Sequence, residues 1–377
     1  MKTLTIISHT EHYKKPDGTI VGLGSTVTEI NQLLEIFDSI IHVAMLHDET
    51  APPSSLSYVS DQITFVAIPA LGGQKFSDKV SILWKAPAVL KTVHAAISKT
   101  DYFQFRAPTG IGVFVIPYLV LFSSKKGWFK YAGNWKQTSA PVAYRFQRWM
   151  LKNQGRKVTI NGIWDDQPKQ CLSFENPCLT LKELEEGTNV IRNKTVQSQG
   201  IDFCFVGRLE DEKGVGLLID AFLNLTTEEK ARINNIHIVG DGKLMSVYKH
   251  KVKDGGLKFI FHGFLARQEV QNIYKMSHCM ILPSASEGFP KVVSEAMNYG
   301  CLPVVSDISS ISHYIKDEEN GFLLDPITSE NLSKKIKKVL NLDDSQYSQM
   351  IASQSNEHHK FTYTYYNNRI KNEVLNI

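Results

Sequence analysis

The stretch from Ser284 to Gly300 places two carboxylates at the start of a predicted helix. Pro290 suits the first helical position, and the Gly300 end carries the signals that stop a helix. The spacing of polar residues puts Glu295 on the side of this helix that we expect to be open, and Glu287 in the loop before it. Because a helix start has free N–H groups and a positive dipole end, it can hold an anionic leaving group. The stretch indicates an anion site, although an exposed glutamate on an amphipathic helix is also a common surface feature.

Two cations lie earlier in the chain, in a loop that leaves one predicted strand and enters a helix. Arg208 and Lys213 are five residues apart in this loop. Beside the helix start that follows Gly288, two fixed positive charges would hold a diphosphate and stabilise it as it departs. Lys213 also follows three acidic residues, at positions 210–212, and pairing with one of them is the alternative.

The elements that must position these residues form a regular alternation of strands and helices. The apolar run Cys279–Pro283 is predicted to be a buried strand, so the loop after it lies at a strand's carboxyl end, where open parallel sheets bind ligands. The same alternation occurs in both halves of the chain and predicts an α/β protein with two doubly wound, Rossmann-like domains facing each other across a cleft. The predicted boundaries are an N-terminal domain over 1–178, a connector over 179–200, a C-terminal domain over 201–358, and a tail over 359–377 that packs back toward the N-terminal domain.

Length and composition limit the class of protein. With 377 residues, 42% hydrophobic and 21% charged, the chain is expected to be a soluble globular protein of two domains. Its five cysteines are scattered and lack metal-ligand spacing, which favours reduced thiols in the cytoplasm. The longest apolar run, Ile111–Phe122, is too short to span a bilayer. No secretory signal and no metal site are predicted.

Glycines also precede a predicted helix near the start of the chain. Gly22 and Gly24 come before a helix with an apolar stripe from Val27 to Phe37. Glycines at such a point let the backbone approach a ligand closely. The third glycine of a dinucleotide fingerprint is absent, so a turn that binds no ligand is the alternative.

The order of motifs in the second half resembles a known enzyme family. The segments FVGRLEDEKGV, HIVGDGKL, FIFHGFL, LPSASEGFPKVVSEAMNYG and NGFLLDP follow one another over residues 202–326. This order is similar to the C-terminal half of retaining glycosyltransferases of family 4, which have the GT-B architecture and belong to glycosyltransferase group 1. The most specific part is the pair Glu287 and Glu295, with seven residues between them.

The resemblance implies roles for individual residues. Arg208 and Lys213 would bind the donor's diphosphate, and Glu287 would lie against the donor sugar, so these three are the expected catalytic residues. Glu295 would receive the nucleotide's ribose hydroxyls, since a carboxylate accepts hydrogen bonds from vicinal hydroxyls. The remaining donor-binding positions are the loop residues Gly288, Phe289 and Pro290, the phosphate-approaching glycines Gly22 and Gly24, and the base-facing residues His262, Gly263 and Phe264.

His262 is equally compatible with an ordinary structural histidine. The resemblance also implies transfer with retention of anomeric configuration, in which the departing phosphate accepts the proton. Such catalysis depends on positioning and charge stabilisation, and it needs neither a cofactor nor a metal.

The first half departs from the family pattern. Where the family often has a histidine after the fourth strand, this chain has Arg106. Arg106 is predicted to contact the acceptor or phosphate, with a structural salt bridge as the alternative. Asn134 and Lys136, at another strand end, are predicted to touch the acceptor.

A basic segment rich in aromatic residues suggests a further partner. From Lys125 to Lys157 there are nine basic residues and no aspartate or glutamate. Such a patch can contact an anionic membrane surface, but its aromatics can also simply pack inward; nucleic acid is not expected, since no nucleic-acid-binding motif is present. The sequence thus predicts a cytoplasmic glycosyltransferase, on the inner membrane face if the patch binds lipid, that uses a nucleotide-sugar to extend a glycan or a lipid-linked acceptor in surface polysaccharide synthesis. An epimerase or phosphorylase of the same fold and a non-catalytic nucleotide-sugar-binding protein are the alternatives.

Overall fold

The computed structural model describes residues 1–71, 76–196 and 200–377. The chain divides into two compact units, one formed by Met1–Glu175 with Tyr365–Ile377 and the other by Asn176–Thr364. Each unit is an α/β structure of the Rossmann-like type. No helix of the described ranges is long and apolar enough to cross a lipid bilayer.

The amino-terminal unit is built on a mainly parallel sheet. Its parallel strands run in the order β5-β3-β1-β6-β7-β8-β9, and β2 and β4 extend the far half of β1 in antiparallel pairing. The strands are β1 (Thr3–Lys14), β2 (Ile20–Leu23), β3 (Ser39–His47), β4 (Ser55–Ser57), β5 (Ile63–Pro69), β6 (Tyr102–Ala107), β7 (Lys126–Tyr131), β8 (Val158–Ile160) and β9 (Cys171–Ser173). The helices are α1 (Gly24–Gln32), α2 (Phe76–Ser98), α3 (Gly112–Leu121) and α4 (Val142–Lys152).

The first strand is longer than its apolar residues indicate. Its apolar run ends at Ile7, whereas β1 continues to Lys14 and forms a hairpin with β2. A register shift between Ile7 and Glu11 changes the course of β1, and its second half then pairs with β3 on one side and β2 on the other. The second half of β1 is polar and its buried residues do not alternate with exposed ones, so it lacks the sequence pattern of a strand.

The carboxyl-terminal unit contains a six-stranded, wholly parallel sheet in the order β12-β11-β10-β13-β14-β15. All residues of its strands β10, β13 and β14 are buried, because helices cover both faces of such a sheet. The strands are β10 (Ile201–Val206), β11 (Ile233–Val239), β12 (Phe259–Gly263), β13 (Cys279–Leu282), β14 (Leu302–Ser306) and β15 (Phe322–Leu324). The helices are α5 (Leu181–Ile191), α6 (Val215–Leu223), α7 (Thr227–Lys230), α8 (Met245–Lys251), α9 (Arg267–Met276), α10 (Lys291–Asn298), α11 (Ser329–Leu340) and α12 (Asp344–Ser355).

The segment expected to be a connector, 179–200, instead contributes helix α5 to the carboxyl-terminal unit; its residues 197–199 lie outside the described ranges. Thr180 and Glu183 form a capping box at the start of α5, a helix signal that the polar composition concealed. The last residues return to the amino-terminal unit through α13 (Tyr363–Arg369), where Tyr366 and Ile370 join its core. The segment counted within this unit begins at Tyr365, whereas the predicted tail began at 359.

Candidate active site

Three loops at the carboxyl edge of the second sheet are joined by backbone hydrogen bonds. The N–H of Leu209 donates to the carbonyl of Asp241 at 2.9 Å, and the N–H of Ala285 donates to the carbonyl of Glu212 at 2.8 Å. The loop after β10 therefore lies between the loops after β11 and β13. Gly240, at a φ of +129°, allows this close packing, since a β-carbon there would fall 1.8 Å from the carbonyl oxygen of Gly207.

Lys213 and Glu287, from two of these loops, form an ion pair. The Nζ of Lys213 lies 2.5 Å from Oε1 of Glu287, and the hydroxyl of Ser284 donates to the same oxygen at 2.8 Å. The side chains are 21% and 12% exposed, respectively, so both are largely withdrawn from water but open on one side. The pairing of Lys213 with residues 210–212, the alternative from sequence, is not the arrangement in the structure. Two of the three predicted catalytic residues thus meet within one unit.

The backbone around Gly214 fixes this meeting. A single 3₁₀ turn, Asp211–Lys213, ends at Gly214, whose φ of +74° lies in the left-handed region and which begins α6. A β-carbon at Gly214 would lie 2.3 Å from the carbonyl oxygen of Pro283. The loop carrying Lys213 can therefore approach the loop carrying Glu287 only because position 214 is glycine.

Arg208 lies in the same loop but is more exposed. Its guanidinium is 3.3 Å from the carboxylate of Glu210, and its side chain is 67% exposed. An exposed pair of this kind contributes little to stability. Arg208 is thus available to an anionic ligand at the edge where Lys213 and Glu287 meet.

The loop before α10 has two distinct surfaces. The ring of Phe289 is 2% exposed and stacks on Phe361 at 5.3 Å, so its side chain anchors the loop in the core. The carbonyl of Gly288 accepts from the Ser310 hydroxyl at 3.1 Å. Among the described residues, no acceptor is found for the N–H groups of Gly288 and Phe289. Pro290 is the N-cap and α10 begins at Lys291, so these N–H groups lie at a positive helix end.

Glu295 does not lie on an open helix face, which corrects the prediction. Its carboxylate is 15% exposed and lies 2.8 Å from Nη1 of Arg267, at the start of α9. On the same helix side, Ser294 and Asn298 are buried, and Asn298 donates to the carbonyl of Glu183 at 2.8 Å. Helix α5, in the segment expected to be a connector, covers this side. Arg267 contacts Oε1 of Glu295, and the Glu295 side chain stays partly exposed.

Arg267 is the residue of this site that the sequence analysis missed. Its Nε lies 3.0 Å from Glu183, and its Nη2 donates to the carbonyl of Cys178 at 2.5 Å. Burial opposes the charge of the guanidinium, but Glu295 and Glu183 outweigh burial and raise the pKa of Arg267. For Glu183, burial likewise acts against ionisation, yet Arg267 and the Thr180 cap lower its pKa. No local sequence signal marks this arginine, because its partners are 28 to 89 positions away.

The residues predicted to face the base, His262, Gly263 and Phe264, lie at the carboxyl end of β12. Phe264 is 46% exposed, and the carbonyl of Gly263 accepts from the N–H of Gly240 at 2.8 Å. The Nε2 of His262 is 2.9 Å from Nδ1 of His237, and the two rings stack at 5.2 Å. Burial and the neighbouring His237 lower the pKa of His262, which favours its neutral form. His262 therefore has a structural partner, and Phe264 offers the exposed ring of this group.

In the amino-terminal unit, the two predicted glycines contact protein. Gly22 lies within β2, where a β-carbon would fall 2.3 Å from Nε2 of His12. Gly24 is the first residue of α1, and a β-carbon there would fall 2.5 Å from the carbonyl oxygen of Ser54. Both glycines thus have packing reasons of their own. Their contact with a donor phosphate stays a prediction.

Arg106 forms an ion pair in the same unit. Its Nη2 lies 3.0 Å from the buried carboxylate of Glu29, which Lys130 also contacts at 2.5 Å. Its Nε donates to Gln104 at 2.9 Å. The side chain is 13% exposed. The structural salt bridge, the alternative from sequence, is therefore present, and a contact of Arg106 with acceptor or phosphate stays a prediction.

Asn134 and Lys136 lie after β7, in a turn that their own contacts stabilise. The side-chain oxygen of Asn134 accepts a hydrogen bond from the N–H of Lys136 at 3.0 Å. The backbone carbonyl of Asn134 accepts one from the guanidinium of Arg148 at 3.0 Å. The ammonium of Lys136 pairs with Asp166 at the surface and lies 5.8 Å from the ring centre of Trp164. Their predicted contact with an acceptor stays a prediction.

The arrangement in the carboxyl-terminal unit can bind an anion beside a hydroxyl-rich group. Lys213, Arg208 and the free N–H groups before α10 supply positive charge and donors, and Glu287 supplies an acceptor. Across the described ranges, no group of three or more histidine, cysteine, aspartate or glutamate side chains is placed to hold a metal ion. The groups that this arrangement offers to an anion are the ammonium of Lys213, the guanidinium of Arg208 and the amide groups before α10.

Comparison with known proteins finds matches to this part of the chain. Residues 188–357 match the family model of glycosyl transferases group 1. Over 182 residues, the chain is 32% identical to a UDP-Gal:alpha-D-GlcNAc-diphosphoundecaprenol alpha-1,3-galactosyltransferase of Escherichia coli, covering 46% of each protein. It is also 32% identical to a lipopolysaccharide 1,6-galactosyltransferase of Salmonella typhimurium over 146 residues, which is 37% of this chain and 39% of that one. The chain spans less than half the length of the curated relatives it matches.

Solved structures match over the whole chain. The Anabaena protein HepE, crystallised in complex with UDP-glucose, is 15% identical, with a TM-score of 0.70 and full coverage of both chains. The sucrose-phosphate synthase of Thermosynechococcus elongatus is 13% identical, with a TM-score of 0.71, covering 98% of this chain and 97% of that one. At such identities the likeness concerns the fold. The chain thus has the GT-B fold, and its residues 188–357 match the glycosyl transferases group 1 family model.

Proposed function

We propose that this protein is a retaining glycosyltransferase of family 4 that moves a sugar from a nucleotide-sugar to a glycan or a lipid-linked acceptor. The observation that carries the proposal is the ion pair of Lys213 and Glu287 at 2.5 Å, beside Arg208 and the amino end of α10. A departing nucleoside diphosphate needs positive charge, and a sugar needs acceptors for its hydroxyl groups. Lys213 supplies the positive charge and Glu287 supplies the hydrogen-bond acceptor, and the two side chains lie together.

The proposed mechanism follows from these groups. Lys213, Arg208 and the N–H groups of Gly288 and Phe289 would bind the diphosphate and stabilise the charge that develops on it. Glu287 would accept hydrogen bonds from the sugar, and Glu295, held by Arg267, from the ribose. The acceptor hydroxyl attacks on the face from which the phosphate leaves, and the phosphate takes its proton. The transfer needs no metal in this scheme, so a chelator should leave the activity unchanged.

The acceptor is proposed from the relatives. The matched Escherichia coli protein is named for a diphosphoundecaprenol acceptor and the Salmonella typhimurium protein for lipopolysaccharide. A lipid-linked or surface-glycan acceptor, used on the cytoplasmic side, is therefore the proposal for this chain, within surface polysaccharide synthesis. The neighbour bound to UDP-glucose makes UDP-sugars the first donors to test.

The test combines binding with product analysis. Thermal-shift titration with UDP-, GDP- and dTDP-sugars identifies the donor, and incubation with an undecaprenyl-diphosphate-linked sugar tests transfer, with the anomeric configuration read by NMR. We expect transfer with retention, and its loss in Glu287→Ala without a change in thermal midpoint. The exposed Glu319→Ala is the matched control and should keep full activity.

Other outcomes separate the alternatives. Consumption of the nucleotide-sugar without acceptor indicates an epimerase, and dependence on free phosphate indicates a phosphorylase. Binding without turnover in any assay indicates a non-catalytic protein. Equal transfer by wild type and Glu287→Ala removes the proposed role of Glu287.

A further inference from the structure

Helix α4 presents apolar side chains to solvent. Val142, Phe146 and Trp149 are 71%, 37% and 59% exposed, and their spacing of i, i+4 and i+7 places them in one stripe. The side of α4 that packs on the protein contains Gln147, which is fully buried, and Leu151. The outward face is thus rich in large apolar groups, the reverse of an ordinary surface helix.

The end of the neighbouring helix α3 continues this surface. Leu121 and Phe122 are 67% and 78% exposed, and α3 packs against α4. The guanidinium of Arg156, in the loop after α4, donates to the carbonyl of Ser123 and so holds that loop beside the residue that follows Phe122. Five exposed apolar side chains therefore come from two helices that pack together.

Basic residues lie beside the amino ends of strands β7 and β8. A cavity of about 490 Å³ is lined by Lys125, Lys126, Arg156 and Lys157, together with Tyr102 and the 374–376 turn. The sequence from 102 to 164 contains no aspartate or glutamate. Asp101, which precedes this segment, borders an adjoining cavity and accepts hydrogen bonds from Thr3 through its Oδ2. The surface thus combines apolar groups with positive charge.

We propose that this surface, the basic-aromatic face, binds the surface of an anionic phospholipid bilayer. It is defined by the apolar side chains Leu121, Phe122, Val142, Phe146 and Trp149 and by the cations Lys125, Lys126, Arg145, Arg156 and Lys157. Apolar side chains on the outer stripe of a helix enter the headgroup boundary, and basic side chains beside them bind lipid phosphates.

The experiment is cosedimentation of the full-length protein with vesicles. Phosphatidylcholine vesicles containing phosphatidylglycerol are compared with vesicles of phosphatidylcholine alone. We expect binding to the anionic vesicles that weakens as salt is raised. The double variant Phe122→Ser, Trp149→Ser should lower the binding constant about tenfold, because both apolar contacts are lost. The variant Lys126→Glu, Lys157→Glu should reduce it at least as strongly.

Matched controls come from the other unit. Val247→Ser with Met276→Ser removes two exposed apolar side chains, and Lys253→Glu reverses an exposed charge. Both should bind the vesicles as the wild type does. All altered positions in the two test variants are at least partly exposed, so unchanged thermal midpoints will show that the variants fold.

Three results would overturn the proposal: no binding of the wild type to anionic vesicles, equal binding to neutral vesicles, or equal binding by wild type and both test variants. A fourth result that would overturn the proposal comes from the oligomeric state, measured by sedimentation velocity without lipid. A dimer that dissociates in Phe122→Ser, Trp149→Ser would assign the face to contact between copies of this chain. None of these measurements depends on the transferase assay, so the outcome is separate from that of the proposed function.

Discussion

The guanidinium of Arg267 contacts the carboxylate of Glu295 at 2.8 Å and that of Glu183 at 3.0 Å. One cation thus orients the predicted ribose ligand and ties it to the start of α5. If Glu295 binds the nucleotide, Arg267→Lys should raise the KM for the nucleotide-sugar about tenfold with a smaller effect on kcat, because a lysine cannot hold both carboxylates with a planar fork. Steady-state kinetics with varied donor measures this.

A control on the same helix separates positioning from stability. Lys275, also on α9, pairs with Glu186 at 2.5 Å. Lys275→Met removes this ion pair and should leave the donor KM unchanged. A folded Arg267→Lys protein with wild-type donor affinity would contradict the positioning role.

Glu287 neutralises Lys213 when no ligand is bound. Glu287→Gln removes a negative charge 2.5 Å from the ammonium, so a free nucleoside diphosphate should bind several-fold more tightly while transfer is lost. Lys213→Met should have the opposite effect on binding. Isothermal titration calorimetry with the nucleoside diphosphate measures both. Weaker binding in Glu287→Gln would mean that Lys213 does not contact the diphosphate.

The substitution Gly22→Ala tests whether packing requires a glycine at position 22. A β-carbon there would lie 2.3 Å from Nε2 of His12, a ring held by Tyr58 at 2.9 Å, so Gly22→Ala should cost about 1–3 kcal/mol of unfolding free energy. Gly155→Ala is the control, because nothing lies within 4 Å of the β-carbon position. Denaturant unfolding measures both. Unchanged stability in Gly22→Ala would show that His12 can move.

The buried histidines of the amino-terminal unit predict acid sensitivity. Burial lowers the pKa of His12 to about 4, whereas the unfolded value is about 6.5. Below pH 6.5 the unfolded chain therefore binds protons that the folded chain does not, and stability should fall as pH drops from 6.5 toward 4. His9, with a pKa also lowered to about 4 by burial, acts in the same direction.

His12→Gln should flatten this pH dependence, since glutamine does not titrate. Thermal melts between pH 7.5 and 4.5 measure the slope, and the exposed His250→Gln is the control. An unchanged slope in His12→Gln would show that other groups cause the acid sensitivity.

Much of the carboxyl-terminal unit was predictable, because its strands are short apolar runs with clear turn residues between them. The GT-B fold expected from the motif order is confirmed, and residues 188–357 match the glycosyl transferases group 1 family model. The meeting of Lys213 and Glu287 was expected only as a common location, since a sequence gives the loops but not their side-chain partners.

Sequence analysis did not predict side-chain contacts between residues that are far apart in the chain. Glu295 was expected on an open face, but α5, from a segment that reads as polar linker, covers that side. Arg267 reaches Cys178 and Glu295 across 89 and 28 positions, so no local pattern marks it. Arg106 ends a strand as expected, yet its ion pair with Glu29 depends on a carboxylate 77 residues earlier.

The return of Tyr365–Ile377 to the first unit has a consequence for biogenesis. Tyr366 and Ile370 lie in the same core as Leu4 and Trp128, so that core lacks two members until residues 365–377 have been translated. The unit formed by Asn176–Thr364 is fully synthesised before then. The unit that contains strands β1–β9 is therefore completed after the unit formed by residues 176–364, although most of its residues are translated earlier.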